Sequence, residues 1–301
     1  MVVLVELVDD DEYAHEPNEC QDWRESYYFN WVDLESGISG FSTIGLLPNA
    51  SKREFVFALF HNDKREAYFA EPEGAVSDDF HASLSDGTLS YEVIKPFKEW
   101  RIRYSGTNLK ADIHWVGRFP AYDFGQGSGT SWAGHFEQSG ALRGKVEFPN
   151  GKMVRFNGLG ERDKSWGVRD WHIESWYALH AQFSNLSMGL RLDTVKGENH
   201  PSGAISTADG HVPISSVAVE TEYLDGEIRM PVAALTTVYG NDGSVYTLKS
   251  RMISQNSFVR FTRDFSSGTT ELFEEMAVHE CTELDEKGTG LLEWLFTQYT
   301  T

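Results

Sequence analysis

The chain has 301 residues, 40% hydrophobic and 13% aromatic, enough to bury the core of one large domain or of two ordinary ones. Its 46 acidic residues against 26 basic ones leave a formal charge of −20, a field that repels phosphate backbones and anionic membrane surfaces and so argues against nucleic acid and lipid headgroups as partners. Cys20 and Cys281, far apart in the chain, form neither a disulfide framework nor a metal-ligand spacing.

Residues 1–8 are apolar apart from Glu6, lack a basic stretch and run into Asp9, Asp10 and Asp11, so they do not read as a signal peptide. No run approaches the roughly 18 apolar residues of a membrane helix. The expectation is a cytoplasmic protein without membrane insertion. Alternation with period two then recurs along the chain. Phe55, Phe57 and Leu59 alternate before a turn at Asn62-Asp63, Trp100, Ile102 and Tyr104 form a second series, and Ala111, Ile113 and Trp115 a third. Val146 and Phe148 precede the hairpin signal Pro149-Asn150-Gly151, and Val154 and Phe156 follow it. Gly125, Gly127 and Gly129 mark a loop that lacks the lysine of a phosphate-binding loop.

Residues 170–183 satisfy two periods. Ile173, Trp176, Tyr177 and His180 fit a helix, whereas Trp171, Ile173, Tyr177, Leu179, Ala181 and Phe183 share the odd positions of a strand, which is the reading adopted for the latter part. Turns are expected at Asp209-Gly210, Asp225-Gly226, Asp242-Gly243, Ser267-Gly268 and Lys287-Gly288, with strands at 217–223, 245–253 and Phe258–Phe265 between them. This is an antiparallel meander, which closes into a barrel or folds into a sandwich and so removes its exposed edges. The fold class expected is all-β, with an N-terminal domain over 1–165 and a C-terminal domain over 166–301.

The densest chemistry lies in Gly158-Leu159-Gly160-Glu161-Arg162-Asp163-Lys164-Ser165-Trp166-Gly167-Val168-Arg169-Asp170-Trp171. Charges of both signs beside tryptophan make this either a solvated loop or a mutually satisfied polar network, since a buried charge without a partner is costly. In an extended segment Lys164 and Trp166 share one face and Asp163 points to the other.

This run, Gly-x-Gly-x-x-Asp-x-Ser-Trp-Gly-x-Arg, resembles the central motif of the AttH-like proteins, the group of the carotenoid 1,2-hydratases (hydroxyneurosporene synthases), akin to tocopherol cyclases and lipocalin-like Diels–Alderases. Glu25-Ser26-Tyr27-Tyr28-Phe29-Asn30, Gly45-Leu46-Leu47-Pro48-Asn49, His135-Phe136-Glu137-Gln138 and Gly288-Thr289-Gly290-Leu291-Leu292-Glu293 resemble its flanking segments, so the likeness spans about residues 20–295. The resemblance implies two lipocalin-like β domains, an apolar cavity, and chemistry on a hydrophobic, isoprenoid- or polyketide-like small molecule without a cofactor. The hydratases carry His where this chain has Lys164. An ordinary lysine titrates too high to pass a proton near neutrality, so Lys164 is either a group that polarises a carbonyl or a surface residue replacing a non-catalytic His. By its distance from the motif, Asp193 stands where the resemblance implies a carboxylate proton donor.

Candidate catalytic residues are therefore Lys164, Asp193 and Asp163. Trp166, Trp171, Trp176, Tyr177 and Arg169 are candidates for lining a substrate site, where ring faces stabilise a cationic intermediate. Each has a plain structural alternative: core packing for the aromatics, and an Arg169–Asp170 ion pair locking a turn. His172 and His180 read as satisfied polar residues. No close His, Glu or Asp spacing signals a metal site along the chain, and no nucleophile elbow is present. The leading function is a cofactor-independent hydratase, cyclase or isomerase acting by acid or hydrogen-bond activation. The alternatives are a non-catalytic lipid or terpenoid carrier and a glycan-active jelly roll.

Overall fold

Successive side chains of a strand point to opposite faces, and in the computed structural model the alternations above become the two sides of two sheets. The structure describes residues 7–77, 79–125, 132–169, 171–224 and 229–300. Strand makes up 68% and helix 4%, in two antiparallel sheets, a half-barrel and a closed barrel, as two lipocalin-like domains require. The chain divides into two compact units, Met1–Arg169 and Asp170–Thr301.

The first unit contains β1 (Trp23–Asp33), β2 (Ile38–Leu47), β3 (Lys52–His61), β4 (Lys64–Ala70), β5 (Leu89–Lys95), β6 (Glu99–Ser105), β7 (Lys110–Gly117), β8 (Tyr122–Asp123), β9 (Gly134–Glu147) and β10 (Met153–Val168). Their order is β4-β3-β2-β1-β10-β9-β7-β6-β5, with the short β8 pairing β9. The hairpin from β3 to β4 turns on Asn62 and Asp63, both with positive φ, the conformation that matches the twist of two paired strands. Phe55, Phe57, Leu59, Trp100, Ile102, Tyr104, Ile113 and Trp115 lie in one buried core with Tyr27, Phe29 and Trp31.

The second unit contains β11 (Ser175–Gln182), β12 (Ser187–Val195), β13 (Glu198–Thr207), β14 (Gly210–Leu224), β15 (Met230–Gly240), β16 (Val245–Met252), β17 (Phe258–Phe265), β18 (Gly268–Cys281) and β19 (Glu286–Tyr299). The order β16-β15-β14-β13-β12-β11-β19-β18-β17 closes on itself because β16 also pairs β18. Tyr177, Leu179, Ala181, Leu190, Leu248, Ala277 and Leu292 fill its interior. The odd positions from Tyr177 to Phe183 thus face the core and the strand reading holds over β11, whereas Trp171 and Ile173, before the strand, lie in a separate cluster with Trp176.

One local expectation changes. Gly288 is inside β19 rather than at a turn; the chain reverses over 282–285, where Asp285 takes the left-handed conformation. Of the two readings left open for the motif, the loop is set aside: its residues up to Val168 form the second half of β10. Its Gly160 lets β10 approach β1, since a Cβ there would lie 1.9 Å from the Asn30 carbonyl oxygen. Asp170, the Asp225-Gly226 turn and most of the 125–129 loop lie outside the described residues. No helix among the described residues is long and apolar enough to cross a membrane, which says nothing of β-strand spans.

Candidate functional site

Antiparallel register places the motif's charges on two faces of β10. Lys164 pairs with Tyr27 of β1 and Phe136 of β9, while Arg162 pairs with Phe29 and Gln138. Asp163 pairs with Tyr28 and Glu137, and Ser165 with Ser26 and His135. Even positions face the aromatic core and odd positions the opposite side.

On the core side both cations are fully buried. The Arg162 guanidinium donates to both carboxylate oxygens of Glu12, each at 2.7 Å, and to Gln138 Oε1 at 3.0 and 3.1 Å. Glu12 comes from a single 3₁₀ turn, Asp9–Glu12, and also accepts the Phe97 backbone N–H. The rings of Phe97, Trp100, Trp115 and Phe136 surround the guanidinium at 5.0–5.7 Å. This is the mutually satisfied network rather than the solvated loop.

Lys164 Nζ donates to Glu25 Oε2 and stands 4.6 Å from the centre of the Tyr27 ring and 5.0 Å from that of Trp166. Its complete burial removes the surface-lysine reading. Glu25 also accepts the His15 backbone N–H at 2.9 Å, and the His15 ring stacks on Trp166 at 3.8 Å. The Tyr27 hydroxyl, beside the ammonium, is buried without a hydrogen-bond partner. Burial first, then the charges of Glu25 and Glu12, push its pKa well above the usual phenol range, so it stays an O–H donor.

On the opposite side Asp163 meets two residues that sequence reasoning did not select, His135 and Glu137. The signal was present: His-x-Glu on a strand puts both side chains on one face, and a hairpin at Asn150-Gly151 brings β10 against β9. His135 Nε2 lies 3.5 Å from Glu137 and 3.6 Å from Asp163. Arg169 donates to Ser165 Oγ at 2.7 Å on that face. Its expected partner Asp170 lies outside the described residues.

The other candidates belong to the second unit. Asp193 is buried and accepts from Arg191 Nε at 2.5 Å, and the Arg191 guanidinium lies 3.9 Å over Trp176. The carboxylate thus lies on the face away from the barrel core, against the Arg191 guanidinium. Trp176 donates to Glu293 and sits 5.9 Å from Trp171 in a small apolar cluster. Tyr177 points the other way, into the barrel, where its hydroxyl meets Thr236 Oγ1 at 2.8 Å and burial raises its pKa. The structure therefore brings Lys164 together with Trp166, and Trp171 together with Trp176.

A cavity of about 530 Å³ opens at the hairpin end of the half-barrel, lined by His61, Arg65, Glu66, Asn108, Phe148 and Asn150. Lys164 is about 40 Å of extended strand further along β10 from that end at ~3.3 Å per residue, so this cavity does not adjoin it.

Among solved structures the chain is similar to CghA, at 11% identity and TM-score 0.60 over 91% of this chain and 88% of that one, and to CghA with Sch210972 at TM-score 0.62. It is similar also to kievitone hydratase from Nectria haematococca, at 11% identity and TM-score 0.63 over 98% of this chain and 94% of that one. At such identity the likeness shows a shared fold. None of the curated proteins matches the sequence. Residues 8–298 match the family described as DUF7064, a domain of unknown function, and the chain belongs to that family.

Proposed function

We propose that this protein is a cofactor-independent hydratase, cyclase or isomerase that activates a carbonyl-bearing, isoprenoid- or polyketide-like substrate by hydrogen bonding. The observation that carries this is the Tyr27 hydroxyl, buried without a partner beside the Lys164 ammonium. The ammonium overlies the ring that carries this unpaired hydroxyl, and a carbonyl oxygen accepting from the hydroxyl would be stabilised there as it gains negative charge, in a site of low dielectric. The hydrogen bond to Glu25 uses one of the three N–H groups of Lys164. Because Tyr27 and Lys164 are fully buried, contact with substrate requires neighbouring residues to move. The resemblance of the motif to the AttH-like group and the fold shared with kievitone hydratase and CghA support the reaction class. Water captured by the activated substrate gives an alcohol, and capture by an internal nucleophile or alkene gives a ring.

Tyr27→Phe is the cleaner probe. Lys164→Met strands the Glu25 carboxylate in the core and lowers stability for reasons unrelated to turnover, whereas Tyr27→Phe removes a hydroxyl that makes no hydrogen bond and leaves the melting temperature unchanged or higher. Apolar terpenoid and polyketide-like carbonyl compounds are first screened by tryptophan fluorescence. Products are then resolved by mass spectrometry, where hydration adds one water and cyclisation or isomerisation leaves the mass unchanged. Tyr27→Phe is expected to lower kcat by about 100-fold with binding nearly intact. Wild-type turnover in the folded variant would remove Tyr27 from the mechanism. Binding of these compounds without any product would favour the carrier reading.

A further inference from the structure

His135, Glu137 and Asp163 lie on the face of β9 and β10 that the proposed reaction does not use. We propose that they form a binding site for a divalent transition-metal ion, with His135 Nε2 and one oxygen from each carboxylate as ligands and a further position open to water or an oxygen donor. Each ligand comes from a rigid place in the sheet. His135 and Glu137 are two apart on β9, and Asp163 is the direct cross-strand partner of Glu137 on β10. One donor atom from each of the three lies within 4.8 Å of the others.

The distances fit a metal better than a hydrogen bond. His135 Nε2 is 3.5 Å from Glu137 Oε1 and 3.6 Å from Asp163 Oδ2, beyond the usual 2.7–3.2 Å or so of N–H···O contacts. A tetrahedral ion with bonds of about 2.1 Å holds its ligand atoms ~3.4 Å apart. His135 is itself buried, and neither of its ring nitrogens makes a hydrogen bond. An imidazole in that condition is an unspent ligand. Its ring packs between Phe124 at 4.5 Å and Trp132 at 4.6 Å, an apolar shell that limits competition from water. Two carboxylates and an imidazole gathered in this way are a donor set that suits a divalent cation. One nitrogen and two oxygens suit zinc or manganese rather than calcium or magnesium, which take oxygen ligands alone. The sequence shows no metal motif because the ligands come from two strands joined through a hairpin.

The test uses the full chain, freed of metal by dialysis against a chelator and titrated with Zn²⁺ and Mn²⁺, with bound metal counted by mass spectrometry and melting followed alongside. One ion per chain and a rise in melting temperature are expected for the wild type. Asp163→Asn, which changes a partly exposed side chain, and His135→Asn should each lower the affinity at least 100-fold. Cobalt(II) bound to the wild type should show the visible absorption of a low-coordinate site, a readout that does not depend on either variant folding. The assignment is overturned if the wild type takes up no stoichiometric zinc or manganese, if Asp163→Asn binds as well as the wild type, or if calcium alone binds.

Discussion

Glu12→Ala is expected to destabilise the first unit by about 3–5 kcal/mol, the range for removing one partner of a buried ion pair. The substitution leaves the Arg162 guanidinium in the aromatic core with Gln138 Oε1 as its remaining acceptor. The four surrounding rings offset part of the loss, since a desolvated cation–π contact is worth up to about 2 kcal/mol. Against that, the Phe97 backbone N–H also loses its acceptor, at about 1–3 kcal/mol. The desolvated charge dominates, so the net effect stays large. Denaturant unfolding of the full chain followed by tryptophan fluorescence measures it, because Trp100 and Trp115 border the guanidinium. Glu12→Gln, which keeps an acceptor but not the charge, should cost less. Glu12→Leu with Arg162→Met should recover more than half of the loss, as apolar replacement of a whole buried pair often does. A loss below about 1 kcal/mol in Glu12→Ala would show that water reaches the guanidinium and that the pair is solvated.

Period-two patterning carried much of the fold. Assigning Lys164 and Asp163 to opposite faces needs only that the motif be a strand, and the core positions of β3, β6, β7 and β11 follow from the same rule. What periodicity cannot supply is which distant strand lies alongside. Glu12 and Arg162 are 150 positions apart and Glu25 and Lys164 are 139 apart, so these pairs depend on the N-terminal turn and β1 lying against β10. For the same reason nothing in the sequence pattern singles out Glu12, although it is entirely buried. His135 and Glu137 were visible as members of a resembling segment, but their meeting with Asp163 is a fact of register. Asp193 is legible in another way. Its parity correctly put it opposite the apolar even positions of β12, yet the Arg191 two residues earlier shares that face and binds it.

The second large effect concerns pH. Glu275 projects into the closed barrel from β18, on the face of Ala277 and Cys281, and neither carboxylate oxygen has a hydrogen-bond partner. Burial pushes its pKa from 4.5 up to about 9. In the same barrel burial lowers the His279 pKa from 6.5 to about 3; a backbone hydrogen bond at His180 opposes the shift, and the neighbouring His180 ring adds to it. The two groups act with opposite sign. Above pH 4.5 the unfolded chain releases the Glu275 proton while the folded chain keeps it, so folding loses about 1.4 kcal/mol for each pH unit up to about 9. Below pH 6.5 the unfolded chain protonates His279 while the folded chain does not, so folding loses a similar amount per unit down to about pH 3. Between pH 4.5 and 6.5 the two slopes cancel, and these residues give the second unit a plateau of greatest stability there. From pH 7 to 9 only the Glu275 slope remains, a fall of about 3 kcal/mol. Glu275→Gln should abolish that fall and leave stability level above pH 6.5. The absolute stability of the variant is a poorer guide, because the Gln amide brings buried donors of its own. Calorimetric unfolding of the full chain at pH 5.5, 7 and 9 decides the matter: an equal fall from pH 7 to 9 in wild type and variant would show that the Glu275 carboxyl ionises in the folded barrel as it does in water.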